Sequence, residues 1–214
     1  MGLLTKIKQS PRLKKIALWM LHPPYRPRPR LWVKLLWNPF VHKRAKHSSI
    51  SRRTRMDVFP YNRFELGEWS VIEDFACISN GVGDVIIGSR SRIGLGNTVI
   101  GPITIGNNVS IAQNVVFSGL NHAYEDINLA PMDQPCPTSK ITIGDDSWIG
   151  ANCVITAGVN IGKHVIVAAG SIVTKDVESF SVVAGNPAKL LKKYNRETKQ
   201  WERVSNRKQT YEKL

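Results

Sequence analysis

The sequence predicts an all-β fold, a parallel β-helix, and two observations support this prediction. From position 143 onward an aliphatic residue recurs at every sixth position, and the residue four places after each one is small or β-branched. A strand repeats every two residues and an α-helix about every 3.6, so a period of six fits neither. Coils made of three six-residue units would close a triangular prism. The recurring positions are Ile143, Ile149, Ile155, Ile161, Val167 and Val173.

The same phase is present upstream. In each unit we expect the first and fifth residues to point into the coil, with Gly, Asn and Asp in the turn between units. Together the units predict about five coils within residues 58–186. The upstream positions are Ile87, Ile93, Val99, Ile105, Ile111 and Phe117, preceded by a weaker run at Leu66, Ile72 and Ile78.

A loop interrupts the repeat between Phe117 and Ile143, where the six-residue phase is lost. The interruption contains Pro131, Pro135 and Pro137, and proline cannot donate a hydrogen bond to a strand ladder. We therefore predict that residues 118–141 leave the prism as an excursion loop. Long loops on rigid scaffolds are usually functional.

The net charge of +14 is confined to one end of the chain. Residues 1–60 contain fifteen Lys and Arg against the single acid Asp57, whereas residues 61–214 contain fifteen residues of each sign. We therefore divide the chain into a basic arm (1–57), the coil domain (58–186) and a short C-terminal helical segment (187–214). Because the coil domain is neutral, we expect no nucleic-acid partner.

The arm combines its charge with apolar residues at helical spacing, which predicts two short amphipathic helices joined by the extended stretch HPPYRPRPR. Two compatible roles remain open: attachment to an anionic membrane surface, or a cap over the open end of the coil. The apolar positions are Leu3, Leu4, Ile7, Leu13, Ile16, Ala17, Met20, Leu31, Trp32, Leu35 and Leu36.

The compartment is inferred from targeting signals and cysteines. The segment IALWML is too short for a signal-peptide core. The three cysteines are odd in number and form no CxxC pair. Cys153 falls on an inward position and should be a buried thiol, and we propose no cysteine nucleophile, Cys136 included. These features indicate a cytoplasmic protein, with peripheral attachment at the inner membrane face as an option.

Four strings, SGLNHAYED, WIGANCVI, AAGSIVTKDV and VAGNPAKLLKKY, give residues 58–194 a resemblance to the hexapeptide-repeat acyltransferases. Within that family the chain resembles the sugar O-acetyltransferase branch, which includes maltose, galactoside and exopolysaccharide acetyltransferases. The resemblance implies a left-handed parallel β-helix, a homotrimer with sites between subunits, and acetyl-CoA as co-substrate without a metal.

The resemblance also implies catalytic and acceptor residues. His122 occupies the place of the general base, because a neutral imidazole can take the proton of a sugar hydroxyl. Asp126 could hold the second ring nitrogen, as could Glu125 or a backbone carbonyl. Arg92 stands where the family has an acceptor-binding Asn, so Asn121 and Asn97 are the alternative candidates for that role.

The remaining implied residues contact the co-substrate. The backbone N–H of Ala151 would stabilise the tetrahedral oxyanion. The outward-pointing Trp148 would contact a partner subunit, the cofactor or the loop, and it is a further candidate for substrate binding. The coenzyme A contacts implied are Ala151, Ala169, Thr174, Lys175 and, near the nucleotide phosphates, Lys192.

The function predicted is O-acetylation of a saccharide hydroxyl in polysaccharide, capsule or lipid-linked glycan synthesis. Alternatives with the same fold are enzymes with serine, aminosugar or antibiotic acceptors. A γ-type carbonic anhydrase needs three histidines, and the coil domain offers only His122 and His164. A non-catalytic β-helix scaffold would not need His122.

Overall fold

The computed structural model describes residues 9–23 and 26–204, and most of them form a left-handed parallel β-helix of six coils. Each coil contributes one strand to each of three parallel sheets. The first sheet contains β1 (Lys43–Arg44), β4 (Phe64–Leu66), β7 (Val85–Ile87), β10 (Ile103–Ile105), β13 (Ile141–Ile143) and β16 (Asn160–Ile161).

The second sheet contains β2 (Ser49–Ile50), β5 (Val71–Ile72), β8 (Arg92–Ile93), β11 (Ser110–Ile111), β14 (Trp148–Ile149), β17 (Ile166–Val167), β19 (Ser181–Gly185), β20 (Ala188–Asn195) and β21 (Gln200–Arg203). The third contains β3 (Arg55–Asp57), β6 (Cys77–Ser79), β9 (Thr98–Ile100), β12 (Val116–Ser118), β15 (Val154–Ile155) and β18 (Ile172–Val173).

The interior of the prism confirms the predicted repeat. The first residues of successive units stack in register, for example Ile105 on Ile143, and all lie in one buried cluster. The fifth positions of the predicted units are also buried wherever the next unit follows in phase, whereas Val82 and Asn121, which stand before the two interruptions of the repeat, are exposed. There Ser91 Oγ donates to the carbonyl of Gly106 on the next coil at 2.8 Å. Cys153 is fully buried as predicted, and this burial raises the pKa of its thiol.

Six coils form rather than the predicted five, because the first coil lies inside the segment that we assigned to the basic arm. In this coil Arg44 pairs with Leu66, Ile50 with Ile72 and Met56 with Ile78. The six-residue phase is present at these three positions. It was missed because Arg44 replaces the aliphatic residue and the surrounding residues are basic. The arm therefore ends near position 42, not 57.

The predicted C-terminal helix is also wrong, because residues 181–203 form strands β19 to β21. β19 pairs parallel with β17, and β20 and β21 follow as an antiparallel hairpin. Burial along β20 alternates with a period of two, and Leu190 packs against the core. This alternation is the strand signal that the sequence contained. Residues 205–214 lie outside the described part of the chain.

The N-terminal arm is helical and caps the first coil. It contains α1 (Pro11–Leu21), a five-residue π-helix (Val33–Trp37) and α2 (Asn38–Val41). Val33 is fully buried, and Asn38 Nδ2 donates to the carbonyl of Val58 at 2.8 Å. The predicted positions Leu3, Leu4 and Ile7 lie outside the described residues. In the described ranges, no helix is long and apolar enough to cross a bilayer.

Candidate functional site

The excursion loop comprises residues 119–140 and leaves the prism between β12 and β13, as predicted. The first and last residues of the loop pair with each other in antiparallel fashion. Leu120 bridges Thr138, Asn121 N donates to the carbonyl of Pro137 at 2.9 Å, and Ala123 N donates to that of Pro135 at 2.9 Å. These bonds give the loop a fixed two-stranded stem.

The stem places Cys136 beside His122. The two residues face each other between the hydrogen-bonded positions, where side chains on an antiparallel pair approach most closely. Cys136 Sγ lies 3.4 Å from His122 Nδ1, and both residues are exposed. This contact was not predicted from the sequence. His122 and Cys136 each lie two positions from the paired residues Leu120 and Thr138. This pairing is known only from the folded stem.

Asp126 does not orient His122. Its carboxylate accepts hydrogen bonds from the backbone and side-chain nitrogens of Asn128, at 2.9 and 3.2 Å. Its carbonyl accepts from Gln134 Nε2 at 2.8 Å. Asp126 therefore organises the tip of the loop, because its side chain closes a local turn. The prediction for Asp126 as orienter is wrong, and the thiol of Cys136 occupies the place beside Nδ1.

Thr174 and Lys175 lie on the same edge of the prism as the loop. This edge joins the third sheet to the first. In the fifth coil Gly158 N donates to the carbonyl of Ser139 at the base of the loop, at 3.1 Å. In the sixth coil the edge is formed by the residues that follow β18, where Thr174 and Lys175 are exposed. Both therefore lie about two coils, or roughly 10 Å, along the axis from the point where the loop leaves.

Ala151 and Ala169 lie on a different edge, between the second and third sheets. About five residues of extended chain, roughly 16 Å, separate this edge from the one that bears the loop. Among the hydrogen bonds of residues 9–23 and 26–204, none is donated by Ala151 N, so this N–H is available to a ligand. A Cβ on Gly150 would approach Ala169 N to 2.6 Å, which explains the glycine of WIGANC.

Asn97 is a structural residue and cannot contact an acceptor. It is fully buried at a fifth position. Its Nδ2 donates to the carbonyl of Ala112 at 2.9 Å, and its Oδ1 accepts from Val115 N at 2.6 Å. The prediction for Asn97 is wrong because the fifth position of a unit points into the coil. Asn121 is exposed on the stem next to His122, and its role in acceptor binding stays a prediction.

Three residues that the sequence singled out, Trp148, Arg92 and Lys192, lie on the outer face of the second sheet. Trp148 points outward as predicted and is 53% exposed. Two coils earlier Arg92 forms an ion pair with Glu73, with Nε and Oε1 2.7 Å apart. Lys192 is half-buried on β20, opposite Val182. The ion pair engages the guanidinium of Arg92, which stands where the resemblance implies an acceptor-binding asparagine.

A cavity of about 510 Å³ opens beside the base of the loop. Thr138 and Lys140 from the loop line one side, and Arg63, Asp84 and Thr104 from the prism line another. These groups can donate and accept hydrogen bonds, as recognition of a hydroxyl-rich ligand requires. No group of three or more His, Cys, Asp or Glu side chains suited to a metal ion is found in the part of the chain that the structure describes.

Comparison with known proteins identifies the repeat. The family described as hexapeptide repeat of succinyl-transferase matches residues 84–117 and 140–175. An Escherichia coli (strain K12) protein that carries the name lipopolysaccharide biosynthesis O-acetyl transferase WbbJ is 36% identical over 109 residues, which are 48% of this chain and 56% of that protein.

Relatives with a nitrogen acceptor also match. The 2,3,4,5-tetrahydropyridine-2,6-dicarboxylate N-acetyltransferase of Staphylococcus aureus (strain bovine RF122 / ET3-1) is 44% identical over 89 residues, 42% of this chain and 32% of that protein. A mutant of AntD, an N-acyltransferase from Bacillus cereus, was solved with dTDP-4-amino-4,6-dideoxyglucose and coenzyme A. It superposes with a TM-score of 0.64 at 23% identity, over 74% of this chain and 87% of that one. The chain thus spans little more than half of the first curated relative and a third of the second.

Proposed function

Because its coil domain belongs to the hexapeptide-repeat acyltransferase family, we propose that this chain transfers an acetyl group from acetyl-CoA to a saccharide hydroxyl. The observation that carries the proposal is the position of His122. It lies on a stem of fixed geometry that rises from the same edge of the prism as Thr174 and Lys175. An imidazole held in this way can serve as a general base.

The proposed reaction is a direct transfer. The acceptor oxygen attacks the thioester carbonyl carbon while His122 Nε2 takes the hydroxyl proton. For Nε2 to accept this proton, the neutral ring must carry its own proton on Nδ1, the nitrogen that lies 3.4 Å from Cys136 Sγ. The N–H of Ala151 stabilises the tetrahedral oxyanion. The carbon–sulfur bond then breaks, and the thiolate of coenzyme A receives the proton from the imidazolium.

We propose that each site is shared between two chains of a homotrimer. His122 and Ala151 lie on different edges of one prism, about one face apart, so one chain does not bring them to the same carbonyl group. A threefold assembly can place the loop edge of one prism against the Ala151 edge of the next. The coenzyme A would lie in the groove between them, with Thr174, Lys175 and Ala169 along its arm and Lys192 near its phosphates.

Mixed trimers test the shared site. His122→Ala chains lack the base, and Ala151→Trp chains block the oxyanion donor, so each variant alone should be inactive. After co-refolding at equal amounts, we expect about a quarter of wild-type activity, because one interface in four pairs an intact His122 with an intact Ala151. If the mixture stays inactive while both variants fold and assemble, the shared site is refuted.

The saccharide hydroxyl is proposed over an amine because the WbbJ match spans 109 residues, more than the 89 of the N-acetyltransferase match, and carries an O-acetyl transferase name. The second candidate is acetyl transfer to an aminosugar nitrogen, which the N-acyltransferase matches favour. A screen of saccharides, nucleotide sugars and their amino counterparts with acetyl-CoA would separate them. Thiol release together with an alkali-labile acetyl product supports the ester, whereas an alkali-stable product supports the amide.

We further propose that the reaction takes place at the cytoplasmic face of a membrane, in polysaccharide or lipid-linked glycan synthesis. Coenzyme A thioesters are supplied on that side, and the basic arm is at one end of the prism. Activity against lipid-linked acceptors in vesicles, compared with the same glycan released from its lipid, tests this placement. Equal catalytic efficiency on both substrates would contradict it.

A further inference from the structure

The N-terminal segment 9–42 presents large apolar side chains on the side that does not contact the coil. Phe40 is 85% exposed and Leu36 69%. On α1, Ile16 is 55% and Trp19 58% exposed. Monomeric proteins rarely leave so many large apolar residues uncovered in one short segment. The exposed apolar residues of this segment, here called the arm surface, are Leu13, Ile16, Trp19, Met20, Leu31, Trp32, Leu35, Leu36, Trp37, Phe40 and Val41.

The arm surface is held together as a unit by Arg30. Its backbone N donates to the carbonyl of Leu21 at 2.9 Å. Its Nε donates to the carbonyl of Trp19 at 3.0 Å, and its guanidinium lies 5.0 Å from the centre of the Trp19 ring. These contacts join the end of α1 to the start of the second helical segment. That segment is anchored on the coil by Val33 and Asn38.

The charge of the same segment has one sign. Residues 9–42 contain seven Lys and Arg and no Asp or Glu, whereas residues 61–214 are neutral overall. Lysine and arginine beside large apolar residues match the boundary of a lipid layer, where apolar groups enter the acyl region and cations stay at the headgroups. The seven are Arg12, Lys14, Lys15, Arg26, Arg28, Arg30 and Lys34.

We propose that the arm surface docks on an anionic phospholipid membrane without spanning it. A second copy of this chain is the less suitable occupant, because association of identical arms would bring like charges against like charges. Within the described residues, Arg28 alone of the seven has an acid beside it, Asp57 of the first coil, 3.8 Å away. An anionic lipid surface complements this charge and covers the apolar residues at the same time. The buried side of the arm caps the coil, so capping and docking use opposite sides of one segment.

This docking gives the prism a defined position relative to the membrane. The arm covers the first coil, and the loop with His122 leaves after the fourth. Three coil steps of about 4.8 Å place the base of the loop roughly 14 Å beyond the first coil. A glycan attached to a lipid headgroup can extend over this distance, so docking and transfer are compatible in one complex.

Tryptophan fluorescence tests the docking without acceptor or acetyl-CoA, so its result is independent of the proposed reaction. Trp19, Trp32 and Trp37 belong to the arm surface, and the chain's other three tryptophans are Trp69, Trp148 and Trp201 in the prism and its C-terminal hairpin. The full-length protein is mixed with phosphatidylcholine vesicles containing about 30 mol% phosphatidylglycerol and bromine-labelled acyl chains. We expect quenching that the triple Trp→Phe variant of the arm loses, and that a Trp69→Phe variant retains.

Substitutions test the apolar and the charged contributions separately. Phe40→Asp should weaken vesicle co-sedimentation about tenfold or more, since it removes one large apolar contact. Lys14→Glu with Lys15→Glu should abolish the preference for anionic over neutral vesicles. Ile127→Asp is the matched apolar control, because Ile127 is 93% exposed but lies in the excursion loop. It should bind as the wild type does.

Three results would overturn the proposal. One is the absence of co-sedimentation with anionic vesicles at low salt. Another is equal binding to pure phosphatidylcholine, which would remove the electrostatic part. The third is concentration-dependent self-association in light scattering that Phe40→Asp abolishes in the absence of lipid binding, which would assign the arm surface to a contact between copies.

Discussion

The thiol sulfur of Cys136 lies 3.4 Å from Nδ1 of His122, across the stem of the excursion loop. A thiol beside an imidazole can have either of two roles. It can fix the tautomer and orientation of the ring, or it can act as a nucleophile that the imidazole activates. The direct transfer proposed for this chain requires the first role, and the two roles predict different consequences of substitution.

Cys136→Ala should reduce kcat by no more than about tenfold, because His122 remains the base and loses only a positioning contact. Cys136→Ser, which keeps a hydrogen-bonding group, should recover part of the loss. The measurement is thiol release from acetyl-CoA, with mass spectrometry of the quenched enzyme. A loss beyond about a thousandfold together with an acetyl group on Cys136 would establish a covalent mechanism instead.

His122→Ala should lower kcat by about 10² to 10⁴, the range expected on removal of a general base. The melting temperature should not change, because His122 is exposed on the loop. His164→Asn provides the matched control: His164 is also exposed in a turn, and asparagine tolerates its φ of 54°. Unchanged turnover in His122→Ala would instead support a scaffold role for the prism.

Gly150→Ala should destabilise the fold by about 1 to 3 kcal/mol, as overpacking does. The added Cβ would lie 2.6 Å from Ala169 N and 2.9 Å from the carbonyl oxygen of Val167. Backbone atoms of the next coil cannot move aside without separating the two coils. Urea unfolding measures the loss. Gly81→Ala is the control, since its nearest contact would be an ordinary 3.5 Å from the ring of Phe59, and it should change stability little.

Asn97→Val should lower the free energy of unfolding by about 1 to 3 kcal/mol for each partner left unsatisfied. These partners are the carbonyl of Ala112 and the N–H of Val115. The KM for the acceptor should stay unchanged per folded molecule, because the side chain is inside the coil. A raised acceptor KM at unchanged stability would restore the role in substrate binding that the structure contradicts.

Acidic pH should loosen the N-terminal cap through His42. Burial lowers the pKa of this imidazole below its ordinary value of 6.5. Well above pH 6.5 the His42 imidazole is neutral in both the folded and the unfolded chain, so the contribution of the buried neutral ring to stability is fully present. As the pH falls below 6.5, His42 binds a proton in the unfolded chain before it does so in the folded one. The free energy of unfolding therefore decreases until the pH has fallen below the pKa of His42 in the folded state. His42→Phe, which cannot titrate, should show a smaller drop in melting temperature between pH 7.5 and 5. Parallel curves for both proteins would contradict this assignment.

The coil domain was predictable because every six-residue unit must meet the same packing requirements, and these requirements are visible within the unit itself. An aliphatic residue such as Ile149 must face inward and the next residue, Gly150, must leave room for the adjacent coil. The loop was predictable because prolines such as Pro135 cannot join a ladder. The first coil was not recognised because Arg44 replaces the aliphatic residue, and pairing with Leu66 rather than burial of its own side chain holds that strand in place.

The sequence by itself determined the fold, the loop and His122, because periodicity and motif spacing are local properties of the chain. Only the tertiary structure decided which groups meet. It placed Cys136 rather than Asp126 beside His122, put Ala151 on a separate edge, and buried Asn97. These contacts depend on stem register, on which way each position points around the prism, and on stacking between coils. All three arise when segments distant in the sequence pack together.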